Sequence, residues 1–288
     1  MLYPITFSIP EEKVINYIPQ KTKLLSDLIP GKIETYIQNN NENDYYSEYR
    51  KSYFAVSTKK SGWDCLRHYE ILANGCIPYF YNMEECPENT LSLFPKKLIL
   101  EGNLLYDKFK NDNEINILEY NILLIKLMHY VLNNLTTKKM ANYVLSKCNK
   151  KIKNILYLSG NIDPDYLRCL TLHGFKELFG TKCHDYPKIP HIYKGNYSNL
   201  YGKGISYANL LDHSLHDNKL DNSLIENIKN KYYDLIIYDS YHRGMLYYDL
   251  INTIYEPSEI VLLCGEDIHC CNYLTWSEKG HIVFVREL

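Results

Sequence analysis

The chain reads as an α/β protein of two Rossmann-like domains, each a parallel sheet flanked by helices. Three observations predict this. A strand, a capped helix and a second strand follow one another within residues 53–81. A second series of apolar strands begins at residue 154 and recurs at 233–240, 259–267 and 281–285. Continuous apolar runs of this kind mark strands buried on both faces, as parallel sheets require. Between the two series, KCNKKIKN (147–154) is a polar, basic break, which divides the chain into domains 1–150 and 151–288. A length of 288 residues suffices for two such cores.

The elements follow in order. YFAVS (53–57) is a strand by its aromatic and β-branched content. TKKSGW is a basic, Gly-containing turn, and Ser61 with Asp64 matches a capping pattern that starts a helix near Gly62. Along that helix Leu66, Glu70 and Ala73 share one face, and Cys65, Tyr69 and Leu72 another. Asn74-Gly75 is a natural stop. CIPYFY (76–81) is the returning strand of a βαβ unit with a right-handed crossover. KKLIL (96–100) reads as a further strand, and 114–148 as mainly helical. In the second series NILYLSG (154–160) is a strand, and Asp163-Pro164 opens a helix that Gly180 stops. Residues 181–220, rich in Gly, Tyr, His and Asn, carry no clear assignment. YDLIIYDS, EIVLLCGED and HIVFV supply the remaining strands.

Composition narrows the function. A formal net charge of -2 provides no global basic field for duplex nucleic acid. MLYPITFSIPEEKV has neither the basic nor the long apolar region of a secretory signal. The apolar run NILLIKLMHYVL is interrupted by Lys126 and His129, so no transmembrane segment is expected. Nine cysteines without framework spacing predict mostly reduced thiols and a cytoplasmic chain. The 29 tyrosines, with abundant Asn, Ile and Lys, suit an AT-rich coding sequence such as a virus's, whose compartment is the host cytoplasm.

In an open parallel sheet, ligands lie beyond the carboxyl ends of the strands. Lys59, Lys60, Ser61, Gly62, Trp63 and Asp64 occupy that place. A helix N-terminus there can cradle a phosphate, and Lys59, Lys60 and Arg67 add charge-assisted contacts. Gly62 permits close backbone approach, Trp63 offers a stacking surface, and His68 and Glu70 follow on the helix. At that depth Glu70 can accept both hydroxyls of a ribose. The plainer reading stays open: Ser61 and Asp64 only cap, Arg67 pairs with Glu70 at i, i+3, and His68 is a satisfied core residue.

SGWDCLRHYEILANGCIPYF (61–80) resembles the donor segment of GT-B glycosyltransferases, in particular exostosin-like members. The matching positions are Arg67, Glu70 and Gly75-Cys76-Ile77-Pro78, within residues 50–100. The resemblance implies that Glu70 binds the donor ribose, and that Arg67 with the Ser61–Asp64 loop holds the diphosphate. Many relatives carry a second Glu where this chain has Gly62, which leaves sugar recognition open. HIVFVREL resembles the close of the acceptor-side domain, and YPITFSIPEEKV resembles the segment that comes next in those enzymes. The resemblance thus implies an exchanged domain order, by circular permutation or as a slice from a tandem array. Residues 1–150 then correspond to the donor domain and 151–288 to the acceptor side.

Cleft residues on that side are Gly160 and Asn161, Asp239, His242 and Arg243, and Glu266, Asp267 and His269. A transfer with inversion needs a base for the acceptor hydroxyl, and His242 and Asp267 are the candidates. The plainer alternatives are an Asp239 that caps a helix and a His242 that contacts backbone.

The implied activity moves a sugar from a nucleoside diphosphate sugar to a hydroxyl of a glycan or of a lipid- or protein-linked acceptor. No cofactor or metal is obligatory, because helix dipoles and cations can stabilise the leaving diphosphate. CGEDIHCC gathers Cys264, His269, Cys270 and Cys271 without the paired spacing of a zinc site, and Asp163-Pro164-Asp165 reads as a helix start. Two rivals remain. A methyltransferase using S-adenosylmethionine would explain the strands at 154 and 233 but lacks a Gly-rich loop and leaves 59–80 unused. A catalytically inactive module of the same fold would bind a glycan or a protein.

Overall fold

The computed structural model describes residues 1–37, 41–112, 114–195, 206–267 and 271–288. The first half contains β1 (Leu2–Pro4), β2 (Lys23–Leu25), α1 (Glu42–Lys51), β3 (Ser52–Ser57), α2 (Leu66–Ala73) and β4 (Ile77–Phe80). Three helices follow: α3 (Lys96–Asp112), α4 (Ile117–Tyr130) and α5 (Thr137–Leu145). The second half continues with β5 (Ile155–Ser159), α6 (Tyr166–Phe179), β6 (Cys183–Tyr186), α7 (Asn218–Asn222), α8 (Leu224–Lys229) and β7 (Leu235–Asp239). It ends with α9 (Tyr248–Ile251), β8 (Ile260–Cys264), α10 (Tyr273–Glu278) and β9 (Ile282–Val285).

These strands form a six-stranded sheet of order β1-β9-β8-β7-β5-β6 and a three-stranded sheet of order β2-β3-β4. All the pairings are parallel. Every residue of β5, β7, β8 and β9 is buried, as their unbroken apolar sequences require. The fold class is therefore α/β, with parallel sheets flanked by helices.

The break at 147–154 does not separate two packing units. Strand β1 lies beside β9, with Leu2 opposite Val283 and Pro4 opposite Val285. Helix α5 packs on α6 so closely that a Cβ on Gly174 would collide with the Thr137 carbonyl. One hydrophobic cluster runs from Phe54 and Ile77 in the smaller sheet to Ile155 and Ile237 in the larger. The first strand and the fifth helix of the 1–150 segment thus serve the sheet of the second half.

Four local expectations are corrected. KKLIL is the start of α3, whose buried residues Ile99, Gly102, Leu105 and Phe109 follow a helical period. Helix α2 begins at Leu66 with Cys65 as its N-cap, and Ser61–Asp64 stays in the preceding loop. Helix α6 begins at Tyr166, where the Asp165 side chain accepts from Arg168 N–H. Cys264 and Cys271, read as reduced, are joined in a disulfide. His269 and Cys270 lie outside the described residues.

Candidate functional site

A cleft of about 470 Å³ lies at the carboxyl edges of both sheets. Lys60 and Asp64 reach it from the loop after β3, Arg67 from the first turn of α2, Phe7 from beyond β1, and Arg286 from beyond β9. Arg243 follows β7, and Gly265, Glu266 and Asp267 follow β8. Convergence of strand carboxyl ends is the usual place for a ligand in an open parallel sheet.

The loop after β3 is held from both sides. Glu287, buried at the end of the chain's last strand segment, accepts from the backbone N–H of Trp63 at 3.1 Å and of Asp64 at 2.9 Å. A Cβ on Gly62 would clash with Glu287 Oε1 and lie 2.8 Å from Asp267 Oδ1. Gly62 is therefore required for close approach, but the chain's own carboxylates take the space foreseen for phosphate. Asp64 does not cap α2. Its carboxylate accepts from Phe7 N–H at 2.7 Å and Tyr69 O–H at 2.9 Å, and burial pushes its pKa up to about 7.

His68 is fully buried, donates from Nε2 to the Trp63 carbonyl at 2.9 Å and accepts at Nδ1 from Ser57 O–H at 2.6 Å. Burial, with Arg67 nearby, lowers its pKa to about 3, so it is a neutral brace for the loop. Trp63 stacks on Phe80 at 6.3 Å with Lys59 Nζ 5.2 Å from its ring, and neither residue lines the cleft. Ser61 does line it, beside Lys60 and Arg67. Arg67 donates from Nη2 to the Thr58 carbonyl at 3.3 Å, while its buried Nε has no hydrogen-bond partner among the described residues. Neither Lys60 nor Arg67 forms an ion pair among the described residues.

Glu70 also reaches the cleft, from the second turn of α2. Its carboxyl accepts from Tyr45 O–H and Ser206 O–H, each at 2.8 Å, and burial raises its pKa to about 7. It is therefore poised between the neutral and ionised forms near neutrality. Leu28, Pro30, Tyr36 and Tyr49 give this end of the cleft an apolar, aromatic wall.

Across the cleft, Arg286 is fully buried and donates to the Gly265 carbonyl at 2.9 Å, to Glu287 at 2.8 Å, and to Asp267. Asp267 itself remains about half exposed, at 46%. Glu266 accepts from Arg243 Nη2 at 2.7 Å and His242 Nε2 at 2.6 Å. Burial favours its neutral form, but these donors outweigh it and hold the carboxyl below its ordinary range. His242 does not line the cleft.

Gly160, Asn161 and Asp239 also stand away from the cleft. A Cβ on Gly160 would lie 2.7 Å from the Arg243 carbonyl, so the loops after β5 and β7 are in close contact. Asn161 Oδ1 accepts from Arg168 at 3.1 Å. Asp239 is buried 3.6 Å from Arg168 Nε and accepts from Ser159, with burial pushing its pKa up to about 7. His269 lies outside the described residues.

The structure thus brings Lys60, Ser61, Gly62, Asp64, Arg67 and Glu70 together with Arg243, Glu266 and Asp267. The sequence reading missed Tyr45 and Tyr49, although their spacing on α1 is helical and Asn41 caps that helix. It also assigned no contact to Arg286 and Glu287. In comparisons with family models, curated proteins and solved structures, nothing matches this chain.

Proposed function

We propose that the chain is a glycosyltransferase that binds a nucleoside diphosphate sugar in this cleft and transfers the sugar to a hydroxyl acceptor. The observation that carries the reading is the pair Lys60 and Arg67. Both cations face the cleft without an ion pair among the described residues, and Arg67 Nε is buried without a hydrogen-bond partner there. Cationic side chains that line a cleft without an acidic partner favour an anion there, and a diphosphate supplies one.

The rest of the cleft suits such a donor. Glu70, neutral or ionised near pH 7, offers a ribose hydroxyl either a donor or an acceptor once Tyr45 or Ser206 yields its place. The apolar wall of Leu28, Pro30 and Tyr36 fits a nucleobase. On the far side, half-exposed Asp267 is the base that takes the proton of the acceptor hydroxyl. That oxygen then attacks the anomeric carbon, the bond from carbon to the diphosphate breaks, and Lys60 and Arg67 balance the charge left on the leaving group. Arg286 donates to Asp267 and keeps its carboxylate aimed. His242, held against Glu266 outside the cleft, is a less suitable base. The methyltransferase reading is disfavoured, since the loops after β5 and β7 touch at Gly160, and Gly160, Asn161 and Asp239 do not line the cleft.

Calorimetric titration with uridine and guanosine diphosphates tests the reading. Lys60→Ala and Arg67→Ala should each weaken the better ligand about tenfold or more, as loss of a charge-assisted hydrogen bond implies. Unchanged affinity in both variants would remove the cations from the site. Hydrolysis of the bound donor separates an enzyme from a module that only binds.

A further inference from the structure

We infer that Cys264, Cys271 and His242 form a zinc site in the reduced chain, exchangeable with the disulfide. A ring nitrogen of His242 and both sulfurs lie within 4.8 Å of one another. The His242 Nε2 is taken by Glu266 at 2.6 Å. Nδ1 is the nitrogen left for a ligand, since it is buried and makes no hydrogen bond among the described residues. Both cysteines are buried, at 2% and 3% exposure, so the cluster is screened from bulk water.

The donor set fits zinc on three counts. Two thiolates and an imidazole are the soft and borderline ligands that this ion prefers, and three protein ligands leave one position for water or another donor. A histidine that ligates through one nitrogen ordinarily donates the other N–H to a carboxylate, which fixes tautomer and ring orientation. Glu266 does this here, and Arg243 Nη2 holds Glu266 in turn at 2.7 Å. The scaffold is also independent of the sulfurs. Cys264 ends β8, and Tyr241, next to His242, donates its hydroxyl to the Cys271 carbonyl at 2.5 Å, which ties the two turns together.

The exchange balances. A dithiol reductant gives two electrons and two protons to the Cys264–Cys271 bond, yielding two protein thiols and its own disulfide. Zinc then displaces both protons and binds two thiolates and the neutral imidazole. Oxidation returns the disulfide and releases the ion. Because Glu266 lines the cleft while it holds His242, the metal state of this cluster reaches the cleft wall directly.

The test uses the full chain reduced with a phosphine and cleared of metal. Cobalt(II) is titrated while its thiolate charge-transfer band is followed, and zinc is then added as competitor. The reduced chain should bind one cobalt ion that zinc displaces, and the oxidised chain none. The Cys264→Ser/Cys271→Ser double variant and His242→Ala should lose the band, and Glu266→Gln should weaken binding ~10–100-fold. His242→Gln, which preserves a donor for Glu266, guards against a merely unfolded variant and should also fail to bind while its circular dichroism matches the parent. No cobalt uptake by the reduced parent, or equal uptake by a folded His242 variant, overturns the inference.

Discussion

At the scale of single residues, the cleft is governed by carboxyls whose ionisation burial has moved toward neutrality. Glu70 goes from an ordinary 4.5 to about 7, and Asp64 from 3.8 to about 7, both chiefly through burial. For Glu70 the folded chain holds its proton over a pH range in which the unfolded chain has released it. The stability it contributes is fully present below pH 4.5 and is lost as pH rises through about 7. Glu70→Gln keeps the shape without the ionisation, so its stability relative to the parent should improve steadily across that window. Denaturant titrations at several pH values measure this, and a difference that is flat with pH would contradict the burial argument. Much at this scale was legible. The sequence reading grouped Lys59–Asp64, Arg67, His68 and Glu70 at one place, and six of these nine residues line the cleft. The partners of those residues could not be read. Asp64 meets Phe7, 57 residues away, and the 63–64 backbone meets Glu287, more than 220 residues away. A capping pattern of four residues cannot register such contacts.

At the scale of elements, the sequence placed the buried strands β3, β4, β5, β7, β8 and β9, because an unbroken apolar run bounded by turn residues has few other uses. It failed at KKLIL because a five-residue apolar window is too short to separate a strand from the first turns of a helix. Only the continuation through Gly102, Leu105 and Phe109 reveals the helical period. Gly174 shows how closely elements are fitted where the two halves of the chain meet. A Cβ there would run into the backbone of Thr137 at the start of α5. Gly174→Ala should therefore destabilise the chain by ~1–3 kcal/mol through overpacking, despite alanine's better helix propensity. Thermal unfolding measures it, and a rise in melting temperature would mean that α5 and α6 do not pack this closely.

At the scale of the whole molecule, residues 1–150 and 151–288 are less separate than their sequences suggest. Strand β1 completes the larger sheet beside β9, α5 packs on α6, and one apolar cluster joins both sheets. Such continuity predicts one cooperative unfolding transition, seen identically by near- and far-ultraviolet circular dichroism. Two resolved transitions would mean that the halves fold independently. The sequence reading made none of these links, because β1 is only three residues long and the spacing along α5 and α6 does not say which helix each one packs on. The same continuity makes the cleft a fixed feature: its walls come from both sheets, yet they share one core.

The most direct measurement is a crystal structure of the chain grown with a saturating nucleoside diphosphate sugar. The proposal predicts density in the cleft between the β3 and β8 loops, with the diphosphate oxygens within hydrogen-bond reach of Arg67 and Lys60 and the pentose beside Glu70. Donor density at any other place, or an empty cleft under saturating donor, would contradict it.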